Sequence, residues 1–172
     1  MKKLFLAFAA ITMTAASVNA QGGTSFSIGL EGAVPMGDFN KLGYKFGIGG
    51  SAQVDYKVAS DMALTLNVGY LNHSANTTPK AHFSVIPVMG GVKYWFSPKV
   101  YGHAQLGAAF NSYKISNTSG GASSTSTGFA YSPGIGFNIS NNIDLLIKYF
   151  GNSVNGGSFS SLGARLAYTF GK

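Results

Sequence analysis

The segment from Ser161 to Phe170 alternates, residue by residue, between apolar side chains and polar or small ones. Successive side chains of a β-strand point to opposite faces, so this segment forms a strand with one apolar and one polar face. In water the apolar face would lie against a hydrophobic core. In a bacterial outer membrane it would contact lipid, and the polar face would line the inside of a barrel.

Seven more segments show the same period of two, and together the eight predict an all-β fold. The predicted strands span residues 24–34, 44–56, 62–71, 83–96, 100–111, 129–139, 143–150 and 161–170. Long and short connections alternate between them, as in barrels with tight periplasmic turns and longer outer loops. We therefore predict an eight-stranded antiparallel up-and-down transmembrane β-barrel with both chain ends on the periplasmic side.

The fourth segment has the least clear phase because it is apolar on both faces. The phase that keeps Lys93 inside also places Met89 and Trp95 inside, and Pro87 predicts a nearby bulge because it cannot donate a ladder hydrogen bond. Aromatic residues near the strand ends predict belts at both membrane interfaces. The outer belt is expected to contain Phe46, Tyr70, Phe83, Phe110, Phe129 and Tyr149.

All charged residues inside the predicted strands lie on the face opposite the apolar one. They are Glu31, Lys45, Asp55, Lys93, Asp144, Lys148 and Arg165. A charge facing lipid at the middle of the bilayer would cost about 2–4 kcal/mol, so this pattern predicts an interior polar network, which also includes His103. Glu31 and Arg165 lie near the middle of the two closing strands and are expected to be neighbours. The network is interpreted as paired charges that fill the lumen, and an ion path or gate is the alternative.

Composition agrees with a membrane barrel. Only 10% of the 172 residues are charged, whereas about a quarter would be usual in a soluble domain. A soluble lipocalin-like barrel or β-sandwich would expose a face of Gly, Ser and Ala with few charges, which favours aggregation. The absence of Cys excludes disulfides and thiolate chemistry, and the net charge of +7 is spread without a basic run, so no nucleic-acid partner is predicted.

Residues 1–20 have the composition of a secretory signal. Lys2 and Lys3 precede an apolar stretch over residues 4–14, and small side chains at residues 18 and 20 suit cleavage after Ala20. An uncleaved anchor helix is the alternative. We expect a cleaved signal peptide over residues 1–20 and a barrel domain over residues 21–172.

Three motifs make the chain resemble the small eight-stranded outer-membrane barrels, the OmpX/OmpA-like class, and more closely the family called outer membrane protein β-barrel domain. The motifs lie at residues 35–39, 86–96 and 132–137. The resemblance implies the fold and a bacterial outer-membrane location, and it does not imply one activity. The last strand resembles the signal read by the barrel assembly machinery, although Gly171 and Lys172 follow its final aromatic. The matching residues are Ser161, Gly163, Leu166, Tyr168 and Phe170.

Candidate catalytic pairs occur only near the second outer loop, at His73-Ser74 and at His82-Phe83-Ser84. The second pair resembles the His-x-Ser spacing of outer-membrane lipid A deacylases. Those enzymes add a nearby acid, and this chain has no acid between Asp61 and Asp144. We therefore predict no catalytic site, no metal and no cofactor, and interpret His103 as an interior hydrogen-bonding residue.

The sequence favours a non-enzymatic barrel with a structural or surface-exposed role and loop-mediated binding. A narrow pore for small solutes is the alternative, followed by a lipid-modifying enzyme. The expected partners are outer-membrane lipid, the barrel assembly machinery and an unidentified extracellular ligand at the outer loops, and the protein is expected to be a monomer. The low-complexity residues 117–128 are expected to form a long mobile loop.

Overall fold

The computed structural model describes residues 23–37, 44–75, 81–117, 120–154 and 157–170. The predicted signal peptide and residues 171–172 lie outside these ranges. The described residues form β1 (Thr24–Met36), β2 (Tyr44–Lys57), β3 (Met62–Ala75), β4 (Ala81–Trp95), β5 (Val100–Asn117), β6 (Gly120–Asn138), β7 (Ile143–Val154) and β8 (Gly157–Phe170). Within the same residues no helix has the length and apolar character needed to cross a membrane.

The eight strands close into one barrel. Each strand pairs antiparallel with its neighbours in the chain, and β8 pairs antiparallel with β1. The closing register places Glu31 directly opposite Arg165, as expected from their positions in the two strands. The predicted fold class, an eight-stranded antiparallel up-and-down barrel, is confirmed.

The apolar face of the strands points outward. Leu30 is 74% exposed and Ile48 65%, while the neighbouring Glu31 is 4% exposed and lies inside the barrel. A continuous apolar belt of this extent is not stable against water, and it is the surface that hydrocarbon chains cover. The soluble alternative is therefore wrong, because it requires these apolar side chains to form the central core.

The fourth strand has the predicted phase but not the predicted bulge. Met89 is buried in the lumen, and Trp95 is half-buried. Pro87 pairs with Ala109 of β5 in an unshifted register, and β3 pairs with β4 in one register on both sides of Pro87. The proline leaves a gap in the β3–β4 ladder instead of an inserted residue. Gly69 lies beside this gap, and a Cβ there would make a close contact of 3.2 Å with Pro87 Cγ.

The strands extend past the predicted boundaries at the outer end of the barrel. β5 and β6 pair as far as Asn117 and Gly120, so the prediction of a long loop over residues 117–128 is wrong. β7 and β8 likewise pair as far as Val154 and Gly157. The hydrophobic alternation marks only the part of a strand with lipid on one side. Backbone pairing continues beyond that part, where both faces are polar and the sequence has no period of two.

Tight turns join the strands at the other end, which in this type of barrel is the periplasmic side. The amide N–H of Val58 donates to the carbonyl of Met62 at 3.0 Å, and that of Phe96 donates to the carbonyl of Val100 at 3.0 Å. In the third turn the N–H of Ile139 donates to the carbonyl of Ile143 at 2.9 Å.

Candidate functional site

Six ionisable side chains meet in the periplasmic half of the lumen, and we call them the ionic network. They are Glu31, Asp55, Lys93, Asp144, Lys148 and Arg165, all buried. Three carboxylates face three cations, so the formal charges of this set balance. Balance is needed because an unpaired ion that is buried away from water costs roughly several kcal/mol. The side chain of Lys45, the seventh predicted member, lies outside the described residues.

Glu31 and Arg165 share the middle of the network without a close contact to each other. Glu31 Oε2 lies 2.8 Å from Lys148 Nζ, whereas Arg165 Nε lies 4.0 Å from Glu31 Oε1. The Arg165 guanidinium donates through Nε to Ser51 Oγ at 2.8 Å and through Nη2 to Ser27 Oγ at 3.0 Å. Its Nη1 lies 4.0 Å from Asp144 Oδ1, so the guanidinium lies between two carboxylates.

The second ion pair lies nearer the periplasmic mouth. Lys93 Nζ donates to Asp55 Oδ2 at 2.6 Å, and Gln53 Nε2 donates to Asp55 Oδ1 at 2.7 Å. The same ammonium lies 4.6 Å from the centre of the Tyr101 ring and 5.7 Å from that of Trp95, within the range of cation–π attraction. The Lys93 ammonium therefore contacts a carboxylate and two aromatic rings, and these contacts offset the cost of burying its charge.

Tyr101 connects Lys93, which lies over its ring, to Asp144, the third carboxylate of the network. Its hydroxyl donates to Asp144 Oδ1 at 2.6 Å, and the side chain is only 1% exposed. The ring lies over the backbone of Gly136 on the neighbouring strand, where any Cβ would overlap the ring atoms. Glycine at this position is therefore required for the tyrosine to reach Asp144.

Amide and hydroxyl side chains line the wall of β2, β3 and β5 beside the ionic network. Asn67 Nδ2 donates to Gln53 Oε1 at 3.3 Å, and Gln105 Nε2 donates to Thr65 Oγ1 at 3.3 Å. His103 Nε2 also lies 3.3 Å from Thr65 Oγ1. No group of three or more His, Cys, Asp or Glu side chains that could hold a metal ion occurs among the described residues.

Apolar side chains pack together in the outer half of the lumen, beside the buried His73, Asn111 and Asn152, and we call this apolar cluster the aromatic plug. It consists of Phe83, Val85, Met89, Ala109, Ala130 and Phe150, with Tyr113 and Phe159 packed against them. The rings of Phe83 and Phe159 are 5.2 Å apart between centroids. Sequence reasoning missed the plug and assigned Phe83 to the outer lipid belt. Phe83 shares the inward parity of Lys93, and the apolar character of both faces of β4 was the signal that could have found the plug.

The two candidate catalytic pairs, which sequence reasoning rejected, lie in strands and not in a loop. His73 belongs to β3, where it is buried in the lumen with its ring centre 6.4 Å from that of Phe83. The backbone of Ser74 pairs with that of His82, and the side chains of these two residues lie outside the described set. Ser84 Oγ accepts from Asn72 Nδ2 at 2.8 Å. The buried carboxylates of the described residues belong to the ionic network in the opposite half of the barrel.

The residues that resemble the barrel-assembly signal occupy both faces of β8. Leu166, Tyr168 and Phe170 face outward, and Ser161 and Gly163 face the lumen. The rings of Tyr168 and Phe170 are 4.9 Å apart between centroids. Recognition of this strand by the assembly machinery stays a prediction.

A sequence model of the family described as outer membrane protein beta-barrel domain matches residues 4–170. The chain belongs to this family. Family membership and the exposed apolar belt together make it a transmembrane barrel of the bacterial outer membrane. Among curated proteins, none matches this outer-membrane barrel in sequence.

Solved structures share the fold of this outer-membrane barrel at low sequence identity. It is similar to Ail, the attachment invasion locus protein of Yersinia pestis, with 21% identity and a TM-score of 0.67 over 86% of this chain and 99% of that chain. The N-terminal barrel of Pseudomonas aeruginosa OprF has 15% identity and a TM-score of 0.61, over 87% of this chain and 100% of that chain. Ail has also been crystallised in complex with the heparin analogue sucrose octasulfate.

Proposed function

We propose that the protein is a non-enzymatic surface barrel that binds an extracellular ligand through a ribbon above the membrane. This outer ribbon consists of residues 111–117 of β5 and residues 120–128 of β6. The blocked lumen supports a role other than solute transport, because the ionic network occupies one half and the apolar cluster around Phe83 and Phe150 occupies the other. Assembly of the barrel as a monomer by the barrel assembly machinery belongs to the same proposal.

The unequal lengths of two ladders carry the proposal. β5 and β6 pair without interruption to Asn117 and Gly120, but the pairing of β6 with β7 stops at Phe129 and Ser153 within the described residues. Residues 120–128 of β6 therefore pair on one edge only. The exposed Ser124, Thr125, Ser126 and Thr127 carry no charge and no bulky group.

An unpaired strand edge presents a row of backbone N–H and C=O groups, which can add an extended chain as a further strand. The absence of charge along these four exposed residues leaves that edge unprotected, since charged side chains are the usual means of blocking one. The Ail complex adds support for ligand binding in general, because a barrel of this fold has been crystallised with the heparin analogue sucrose octasulfate. An extended polypeptide is the ligand class that the edge itself favours.

A ribbon-shortened variant tests the proposal. It joins Ser112 to Thr125, which pair directly, through an Asn-Gly turn. The matched control joins Asn152 to Phe159 in the same way and shortens the β7–β8 hairpin. Each protein, in lipid nanodiscs, is passed over immobilised reduced and alkylated albumin, an unfolded polypeptide, and over immobilised heparin. Heat-modifiability on gels shows that each variant is folded.

We expect wild type and control to be retained on the unfolded polypeptide, and the ribbon-shortened variant to lose this retention. Equal retention of all three proteins, or retention of none, would contradict binding by the ribbon. Retention on heparin alone, unchanged by shortening the ribbon, would replace the strand-edge ligand with a polyanion that binds elsewhere.

A further inference from the structure

We propose that the lumen is a blind, water-filled channel that opens at the periplasmic end and is closed toward the cell surface by the aromatic plug. The seal is therefore apolar packing in the outer half, and the ionic network lies on the open side of that seal. This inference concerns the lumen alone and does not depend on ligand binding by the outer ribbon.

The open end is a cavity of about 230 Å³ at the mouth of the barrel. Its wall includes Asp55, Lys93, Trp95 and Asp144, together with the exposed Lys57 at the rim. Lys93 lies two residues from the periplasmic end of β4. Three of these wall residues belong to the ionic network, and the fourth, Trp95, contacts Lys93. The mouth therefore brings bulk water to the edge of the ionic network, where Lys93 and Asp55 are themselves only 5% and 7% exposed.

Deeper in the polar half, buried polar atoms lack protein partners. Asn67 Oδ1, His103 Nδ1 and Ser132 Oγ make no hydrogen bond with the described residues. Ser132 lies opposite Gln105 in the β5–β6 ladder, and Gln105 and His103 both bond Thr65, so these atoms surround one region. A buried polar atom without a partner costs about 1–3 kcal/mol, and a buried water normally relieves this cost by bonding two to four such groups. The geometry assigns water to this region.

Among the described residues, the outer half gives water one such atom, Asn152 Oδ1, whose side-chain amide donates through Nδ2 to Asn111 Oδ1 at 2.7 Å. The six core members of the plug are all apolar and at most 8% exposed. Phe83 lies two residues from the outer end of β4, whereas Lys93 lies near the other end of the same strand, so the plug follows the hydrated region along the lumen. Close-packed apolar side chains of this kind exclude water, so a hydrated ion cannot pass this level of the lumen.

Conductance across planar lipid bilayers tests the position of the seal. The plug variant is Phe83→Ala with Phe150→Ala. The control, Phe110→Ala with Phe129→Ala, removes two phenyl rings of the same size from the lipid-facing surface. The ionic variant is Glu31→Gln with Lys148→Met. We expect discrete conductance steps from the plug variant, and none from wild type, the control or the ionic variant.

A folded plug variant without conductance steps would overturn the proposal, and steps from the ionic variant alone would identify the ion pairs as the seal. Heat-modifiability of each variant establishes that a silent protein is a folded one. A wild-type protein that already conducts would also overturn it, since the channel would then not be blind.

Cysteine labelling gives a second readout that needs no disruption of the plug. The chain has no native Cys, so a single introduced thiol reports on one position. Ser132→Cys places the thiol in the region assigned to water, and Ala130→Cys places it in the plug two residues along the same strand. We expect the charged reagent methanethiosulfonate ethylammonium to modify the first thiol in the folded barrel and to leave the second unmodified. Both should react after unfolding, and protection of both thiols in the folded barrel would contradict a hydrated channel.

Discussion

The two halves of the lumen are built from the same inward parity of the same strands, but their chemistry is opposite. The periplasmic half contains an ionic network with balanced formal charges, and the outer half contains the aromatic plug. β4 passes through both, with Lys93 bonded to Asp55 near one end and Phe83 packed on Phe159 near the other. Inward parity therefore predicts that a side chain is enclosed in the lumen. It does not predict whether the surrounding side chains are polar or apolar.

The difference also separates two ways of stabilising an interior. In the ionic network, each charge is tolerated because a partner lies close, so the loss of one partner leaves a buried ion. In the plug, stability comes from contact between apolar surfaces, so the loss of a ring leaves a cavity. The first depends on specific pairs, whereas the second depends on filled volume. Three substitutions of decreasing expected effect test this contrast.

The largest effect is expected when one member of an ion pair is removed. Lys93→Met should lower the free energy of unfolding by about 4 kcal/mol, because Asp55 would remain as a buried carboxylate with Gln53 as its hydrogen-bond donor. The double variant Asp55→Asn with Lys93→Met removes both charges and should recover most of this loss. Urea unfolding in detergent micelles measures both values. If the double variant were as unstable as the single one, pairing would not be the source of stability.

A cavity in the plug is expected to lower the free energy of unfolding by a smaller amount. A second substitution that removes a charge cannot recover this loss. Phe150→Ala should cost about 3 kcal/mol, the lower end of the range for such truncations, because neighbouring side chains can partly close the space. Phe129→Ala is the control, since Phe129 is 56% exposed on the lipid face and hydrocarbon chains can fill the space that its ring leaves. The same urea titration compares the two. Equal losses would mean that lumen packing contributes no more than contact with lipid.

The smallest effect is expected at the contact between ring and carboxylate. Tyr101→Phe keeps the ring against Gly136 and removes only the hydroxyl that donates to Asp144 at 2.6 Å. A hydrogen bond to a charged group contributes about 1.5–3 kcal/mol, so we expect a loss near 1.5 kcal/mol, limited by the nearby Arg165. Unfolding titrations of Tyr101→Phe and of Tyr101→Ala separate the hydroxyl from the ring. A loss in Tyr101→Phe as large as that in Tyr101→Ala would contradict a role for the ring in packing.

The alternation of side chains was sufficient to predict the barrel and the direction of nearly every strand residue. It failed at the outer end for a physical reason. Beyond the membrane both faces of a strand meet water, so residues 120–128 pair with β5 without any hydrophobic period. The alternation also did not predict the ion pair of Glu31 with Lys148. The closing register set Glu31 opposite Arg165, but its nearer partner is Lys148, one strand further around the barrel.

The amino-acid order by itself determined which face of each ribbon meets lipid, because a charge at the middle of a bilayer is costly and an alternating sequence can satisfy only one orientation. It also determined the number of strands and the order in which they pair. The tertiary structure alone decided that the enclosed charges gather in one half of the lumen and the apolar plug in the other. That division depends on which residues of distant strands reach the same height in the closed barrel, and the stagger between strands is set only when β8 closes on β1.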